Sequence, residues 1–412
     1  MPSRETRNNQ GKRNLARRVV RRPRLLVSPL ASLRALVAVV LVAVPCSAQR
    51  TAARPRPAAA DGVARAALAR IDDSTFAATV ARLSEPSGYF DTDNLISNES
   101  SYLHVLPRLR AMGTRGGGYI GVGPDQNYSY IAAIRPRVAY LVDVRRDNLL
   151  QHLMFRSLFA RSDSRLEYLC QWLGRRCPPD LDAWRERPVD TLARYLDSAP
   201  RDAALVRQVQ AALAADARAS GLPLSAADLA TIRRFHDEFA RDGLALRFTS
   251  HGRSPQDYYP SLRDLVVARD AEGRQGSYLA SDDDWRYLKA LHAANRVIPV
   301  VGNLAGTRAL AGIARELRAA GEVVSAFYTS NVEFYLWGDG SFDAFARNVV
   351  ALPRDGRSVI VRSFFNRFRE PHPLADPGHQ SVQLLHRLDD FAARASGAGW
   401  PSYRTLVTAD AR

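Results

Sequence analysis

Residues 116–148, GGGYIGVGPDQNYSYIAAIRPRVAYLVDVRRDN, constrain the fold more than any other part of the chain. An apolar run over 119–122 enters a glycine-bearing loop of Gly121, Gly123, Pro124, Asp125, Gln126 and Asn127. A short helix is expected over 128–134, then a second apolar run, 138–142, ending in Asp143. Strand, glycine loop, helix, strand and acid in that order form the first unit of a nucleotide-binding α/β sheet. Glycines let the backbone approach a ligand and a helix start offers free N–H groups. An acid about 20 residues on can accept both hydroxyls of a ribose. Asp143 stands 20 residues after Gly123. The loop reads Gly121-x-Gly123-x-x-Gln126, without the third glycine of the dinucleotide pattern. Asp125 also puts a negative charge where a pyrophosphate would sit. A ligand without phosphates tolerates that acid better; the competing reading is a tight turn between a buried strand and its helix.

The rest of the chain repeats the alternation. Strand-like runs fall at 244–249 (LALRFT), 297–301 (VIPVV), 323–329 (VVSAFYT) and 358–364 (SVIVRSF). Helices are expected at 107–112, 147–160, 281–294 with Ser281 as N-cap, 306–320 and 342–351. Between 162 and 242 Ala, Leu and Arg dominate, which predicts a helical insertion rather than a separate domain, because strands resume after it. The expected fold is therefore α/β: a Rossmann-like, mostly parallel sheet with helices on both faces and a helical insertion. One such domain is expected over 63–412.

The first 48 residues read as an export signal. They hold ten Lys/Arg and one acid, followed by the apolar run ALVAVVLVAV at 35–44 and small residues up to Ala48. Cleavage after Ala48 would leave a Pro/Ala/Arg-rich linker over 49–62 and a periplasmic or secreted protein with no membrane span. If the leader is not a true signal, the protein is cytoplasmic. The leader carries +9 of the formal +16, and lysine occurs only at Lys12 and Lys289. No basic stripe interleaved with aromatics is visible, so nucleic acid is not an expected partner. After Ala48 the cysteines are Cys170 and Cys177; in an oxidising compartment they are expected to pair, with two thiols as the alternative. Metal-ligand spacings such as CxxC pairs or HExxH are not found, and no metal is expected.

In open α/β sheets ligands sit beyond the carboxyl ends of the strands. The residues at those ends are the expected small-molecule site: Gly121, Gly123, Asp125, Gln126, Asn127, Asp143, Asn303 and Asn331. The two asparagines can equally close Asx turns. His251 and Glu333 are the acid/base candidates, although a His after a strand is often only a hydrogen-bonded loop residue. GNLAGT, 302–307, offers a helix start for an anion or for a Thr307 cap. DTDN, 91–94, reads as turn capping.

YIGVGPDQNYSYIAAIRPRVAYLVDVRRDN, GNLAGT and FYTSNVEFYL together resemble an uncharacterised family of bacterial proteins over most of 85–370. Its core is similar to class I S-adenosylmethionine-dependent methyltransferases. That resemblance implies S-adenosylmethionine as cofactor. Gly121 and Gly123 would lie against the methionine moiety, Asp143 would hold the ribose hydroxyls, and Asn303 would line the transfer site. An exported protein lacks an obvious supply of this cofactor. The alternative is a non-catalytic envelope module binding a small ligand or a protein; an NAD(P)-linked oxidoreductase is the weaker third reading.

Overall fold

A computed structural model describes residues 68–254, 256–366 and 371–409. The expected leader (1–48) and linker (49–62) lie outside the described residues. Six strands form one sheet: β1 Gly118–Gly121, β2 Val138–Asp143, β3 Val297–Val301, β4 Val324–Ser330, β5 Val359–Phe365 and β6 Ser381–Arg387. Their order is β3-β2-β1-β4-β5-β6. The first five strands run parallel, and only β6 pairs antiparallel, against β5. Strands β1 to β3 are buried along their whole length, as a parallel sheet covered by helices on both faces requires. The chain builds β1, β2 and β3 to one side, then crosses back to lay β4 on the other side of β1. The carboxyl ends of β1 and β4 therefore border the topological switch point, where such sheets bind ligands.

Helices Gln126–Ile134, Arg146–Arg161 and Asp282–Ala293 pack together as one layer, and Asp73–Leu83 packs with Ala309–Ala319 in another. Ser281 caps the helix that follows it by accepting from the Asp284 N–H. The insertion consists of helices Arg165–Leu173, Val189–Ser198, Ala203–Ala219 and Ala226–Asp242. Ser164, Asp202 and a Ser225–Asp228 capping box start three of them. Val209, Leu213, Ile232 and Phe235 of the insertion belong to the same continuous core as the sheet. No helix among the described residues is long and apolar enough to cross a membrane.

One expectation needs correction. LALRFT is not a strand: Gly243–Ala245 is a single 3₁₀ turn, and the segment's ladder contact is one bridge, Arg247 to Ser261. Leu244, Leu246 and Phe248 bury themselves from a turn and loop, so their alternation imitates a strand although the segment joins no sheet. The third strand is thus Val297–Val301, and His251 follows no strand. Cys170 and Cys177 are free cysteines that neighbour one another closely enough to interact.

Candidate functional site

The loop after β1 is held from behind. Asn127, fully buried, donates through Nδ2 to the carbonyls of Val122 (2.9 Å), Gly123 (3.2 Å) and Pro124 (2.8 Å), and its Oδ1 accepts from Tyr119 (2.8 Å). Gly121 is required by this clamp and not by a ligand: a Cβ there would collide with Asn127 Oδ1 and come within 2.7 Å of Tyr119 Cε1. His152 accepts from the Tyr128 hydroxyl at Nδ1 (2.8 Å) and places Nε2 3.0 Å from the Gly123 carbonyl. Burial holds this imidazole down at about 4, in the neutral form. Asp125 also turns under the loop, where it accepts from Tyr278 (3.3 Å), and burial pushes its carboxyl up to about 7. Asp125, Asn127 and Gly121 therefore support the loop and are not among the residues lining the cavity at the strand ends.

Gly123 and Gln126 do face a cavity of about 240 Å³ at the carboxyl ends of β1 to β4. Gly123 has φ +87°, which favours glycine. Asp143, Asn303 and Asn331 also line this space, so the structure brings five of the ten expected residues together. Val122, Val142, Val144, Leu304, Val332 and Leu336 supply apolar wall, and Tyr89, Phe90 and Tyr335 stand among the lining aromatics.

The polar groups are unevenly satisfied. Arg145 grips Asp143 with Nε on Oδ1 (3.1 Å) and Nη2 on Oδ2 (2.9 Å), and its backbone N–H adds a bond to Oδ1 (2.9 Å). Arg145 Nη1 bonds the carbonyls of Thr92 and Asp93, tying the 92–93 segment to the sheet. Asn303 closes an Asx turn onto the Ala305 N–H (2.9 Å). Gln126 donates weakly to Tyr328 (3.3 Å), while its buried Oε1 has no protein partner.

Glu99 lies in the polar segment before β1 and was not singled out by its sequence context. It lines the cavity at 1% exposure, accepting from Tyr328 (2.7 Å), Gln383 (2.8 Å) and Ser330. Ser330 ends β4 at φ +52°, and the β4–β5 register shifts beside it. Asn94, across the same cavity, has φ +52° as well. Non-glycine residues in this region are uncommon and cluster at functional sites.

The two acid/base candidates are elsewhere. Glu333 faces β5, paired with Arg362 (Nε to Oε2, 2.7 Å; Nη2 to Oε1, 3.0 Å) and fully buried with it. Burial pushes its carboxyl above the usual range, against the pull of Arg362. His251 is half-exposed on a loop, 3.7 Å from Asp93. Asp93 also pairs with Arg234 and Asp91 with Arg253, so DTDN anchors neighbouring segments. The GNLAGT turn is capped by Glu85 rather than by Thr307. Glu85 accepts from the N–H groups of Asn303 (3.0 Å), Arg308 (2.8 Å) and Ala309 (3.1 Å), supplying the anion that a helix start favours.

Fold and site together define a Rossmann-like α/β protein with one mixed polar and apolar cavity at its topological switch point. Residues 95–177 and 241–411 match DUF7790, a domain of unknown function, and the chain belongs to that family. Comparison with curated proteins returns no match. All six strands lie inside the matched segments, as do the cavity residues except Tyr89, Phe90 and Asn94. The interval between them, 178–240, holds most of the helical insertion.

Proposed function

We propose that the switch-point cavity binds a small adenosyl-type molecule, with S-adenosylmethionine the first candidate and methyl transfer to a small acceptor the associated activity. The observation that carries this reading is Asp143 at the end of β2, lining the same space as Gly123. Its Oδ2 takes one bond from Arg145, and a carboxylate oxygen has a second acceptor position to offer a ribose hydroxyl. Gln126 Oε1 is a buried acceptor without a partner, a position that a ligand N–H or O–H would satisfy. S-Adenosylmethionine would supply an activated methyl group. Catalysis by these residues would be orientation of two bound molecules, which needs no nearby base.

A specific observation favours a second reading, a non-catalytic binding module. Neither His251 nor Glu333 reaches the cavity, which leaves no imidazole among its lining residues. The NAD(P) reading gains nothing, since the third glycine position is Gln126, whose side chain faces the cavity. The export route belongs to the same proposal. A periplasmic or secreted protein, cleaved after Ala48, would oxidise Cys170 with Cys177. Non-reducing peptide mass spectrometry of protein from its native compartment should then find that disulfide, and two free thiols there would count against export.

Asp143→Ala is a poor probe, because it strands the buried Arg145 guanidinium. Gln126→Met keeps the volume and removes the orphan acceptor. Calorimetry with S-adenosylmethionine, S-adenosylhomocysteine, NAD and NADP should show saturable binding of the adenosyl-sulfur ligands alone. Gln126→Met should weaken it roughly three- to tenfold, one hydrogen bond's worth. A folded protein that binds none of the four would remove the adenosyl reading.

A further inference from the structure

The charge of the cavity runs against the charge of the chain. The formal net charge is +16, yet the cavity lining holds three carboxylates, Glu99, Asp143 and Asp339, and one cation, Arg145. Arg145 is consumed by Asp143. Asp339 accepts from the N–H and hydroxyl of Ser341. Glu99 is the unusual member. Among the described residues its donors are the neutral Tyr328, Ser330 and Gln383, and no cation pairs with it. A carboxylate this deeply buried ordinarily has a cationic partner, because isolated charge is expensive to desolvate. The unpartnered Gln126 Oε1 lies beside Tyr328, on the same side of the cavity, and adds a second acceptor with capacity to spare. Ser330, at φ +52°, donates its hydroxyl to Glu99, so an uncommon backbone conformation stands directly beside this carboxylate.

Aromatic rings complete the pattern. Phe90 and Tyr335 meet edge to face, 5.1 Å between centroids, and Tyr89 is 80% exposed beside them. Tyr335 itself is 40% exposed and lines the cavity. A buried anion with spare acceptors, reached past aromatic faces, is the chemistry that recognises an organic ammonium group. An anionic ligand is disfavoured by the same arrangement, since the lining sets three carboxyl side chains against one arginine that already pairs with Asp143.

We infer that the cavity takes an organic cation, its ammonium group held by Glu99 and its alkyl groups covered by Phe90 and Tyr335. This rests on the reading of the cavity as a small-molecule site, and not on the adenosyl group. The probe is choline, titrated against its neutral carbon isostere 3,3-dimethylbutan-1-ol, with neutral 5′-methylthioadenosine as a separate arm. Choline should bind at least roughly tenfold more tightly than the isostere, because its quaternary ammonium, which has no N–H to donate, is held by charge attraction to the carboxylate and by the aromatic faces. Glu99→Gln should abolish that preference. Tyr335→Ala, at a surface position that leaves the fold intact, should weaken choline severalfold. Equal binding of choline and isostere, no choline binding at all, or choline affinity unchanged in both variants would overturn the inference. Binding of 5′-methylthioadenosine without choline preference would overturn it while leaving the adenosyl proposal standing. Choline preference without 5′-methylthioadenosine binding would support it and remove the adenosyl proposal.

Discussion

Arg362→Met should cost the fold roughly 3–5 kcal/mol, the penalty for leaving a buried charge without its partner. Arg362 and Glu333 are both about 1% exposed, and Glu333's two oxygens face the guanidinium of Arg362. The remaining guanidinium nitrogen, Nη1, donates to His386 Nδ1 (2.6 Å), and the His386 Nε2 meets the Ala409 carbonyl (2.8 Å). Burial and the adjacent Arg362 hold that imidazole down at about 3, so it acts as a neutral acceptor. The chain of contacts ties the Val332–Gly338 helix to β5, β6 and the C-terminal segment. Without Arg362 the Glu333 carboxyl would be raised further. A raised folded-state value means the folded protein holds a proton that the unfolded chain releases, so the variant's deficit should grow as pH rises above about 4.3. Urea denaturation at pH 5 and pH 8 measures this. Glu333→Gln combined with Arg362→Met should recover most of the loss. A single variant as stable as the parent at pH 8 would mean the pair is not buried as described.

Asp125→Asn should flatten the pH dependence of stability and make the variant the more stable protein above neutrality. The Asp125 carboxyl stands at about 7 through burial, against about 3.9 in an unfolded chain. Between those values the folded state binds the extra proton, so the parent's stability is full below about 4 and falls as pH rises towards 7. The loss attributable to this one group, complete above pH 7, is on the order of 4 kcal/mol. Asparagine keeps an acceptor for Tyr278 and carries no charge. Denaturant midpoints of both proteins from pH 5 to pH 8 should converge at the acid end and separate at the alkaline end. Parallel curves would place Asp125 in solvent, as a loop exposed to a ligand would have it.

The sheet was legible wherever apolar runs were continuous. VIPVV and VVSAFYT can only be buried strands in a chain that alternates with amphipathic helices, and their ends located the cavity. β6 was not legible, because SVQLLHR mixes Gln383, His386 and Arg387 with apolar residues along an edge strand that pairs on one side only. LALRFT misled in the opposite sense, since burial from a loop produces the same alternation. In the site, Gly123, Gln126, Asp143, Asn303 and Asn331 were reached from strand ends alone. Asp125 and Asn127 looked like ligand-facing loop polars, yet tight turns need buried acceptors and donors of their own. Glu99 gave no signal in an irregular polar segment, because what defines it is Tyr328, Ser330 and Gln383, more than 200 residues away in sequence. Glu333 did have a readable partner. An arginine inside the buried run SVIVRSF demands a counter-charge, and Arg362 announces that some carboxylate must be spent on it.

The central claim is that the switch-point cavity is where a small molecule binds. Hydrogen exchange with and without saturating S-adenosylmethionine tests it most directly, because it reports position as well as binding. Peptides spanning 121–127, 142–145 and 330–336 should exchange more slowly, and the helical insertion at 178–240 should exchange at an unchanged rate. Protection confined to the insertion or to the opposite end of the sheet, or tight binding with no protection at those three segments, would contradict it.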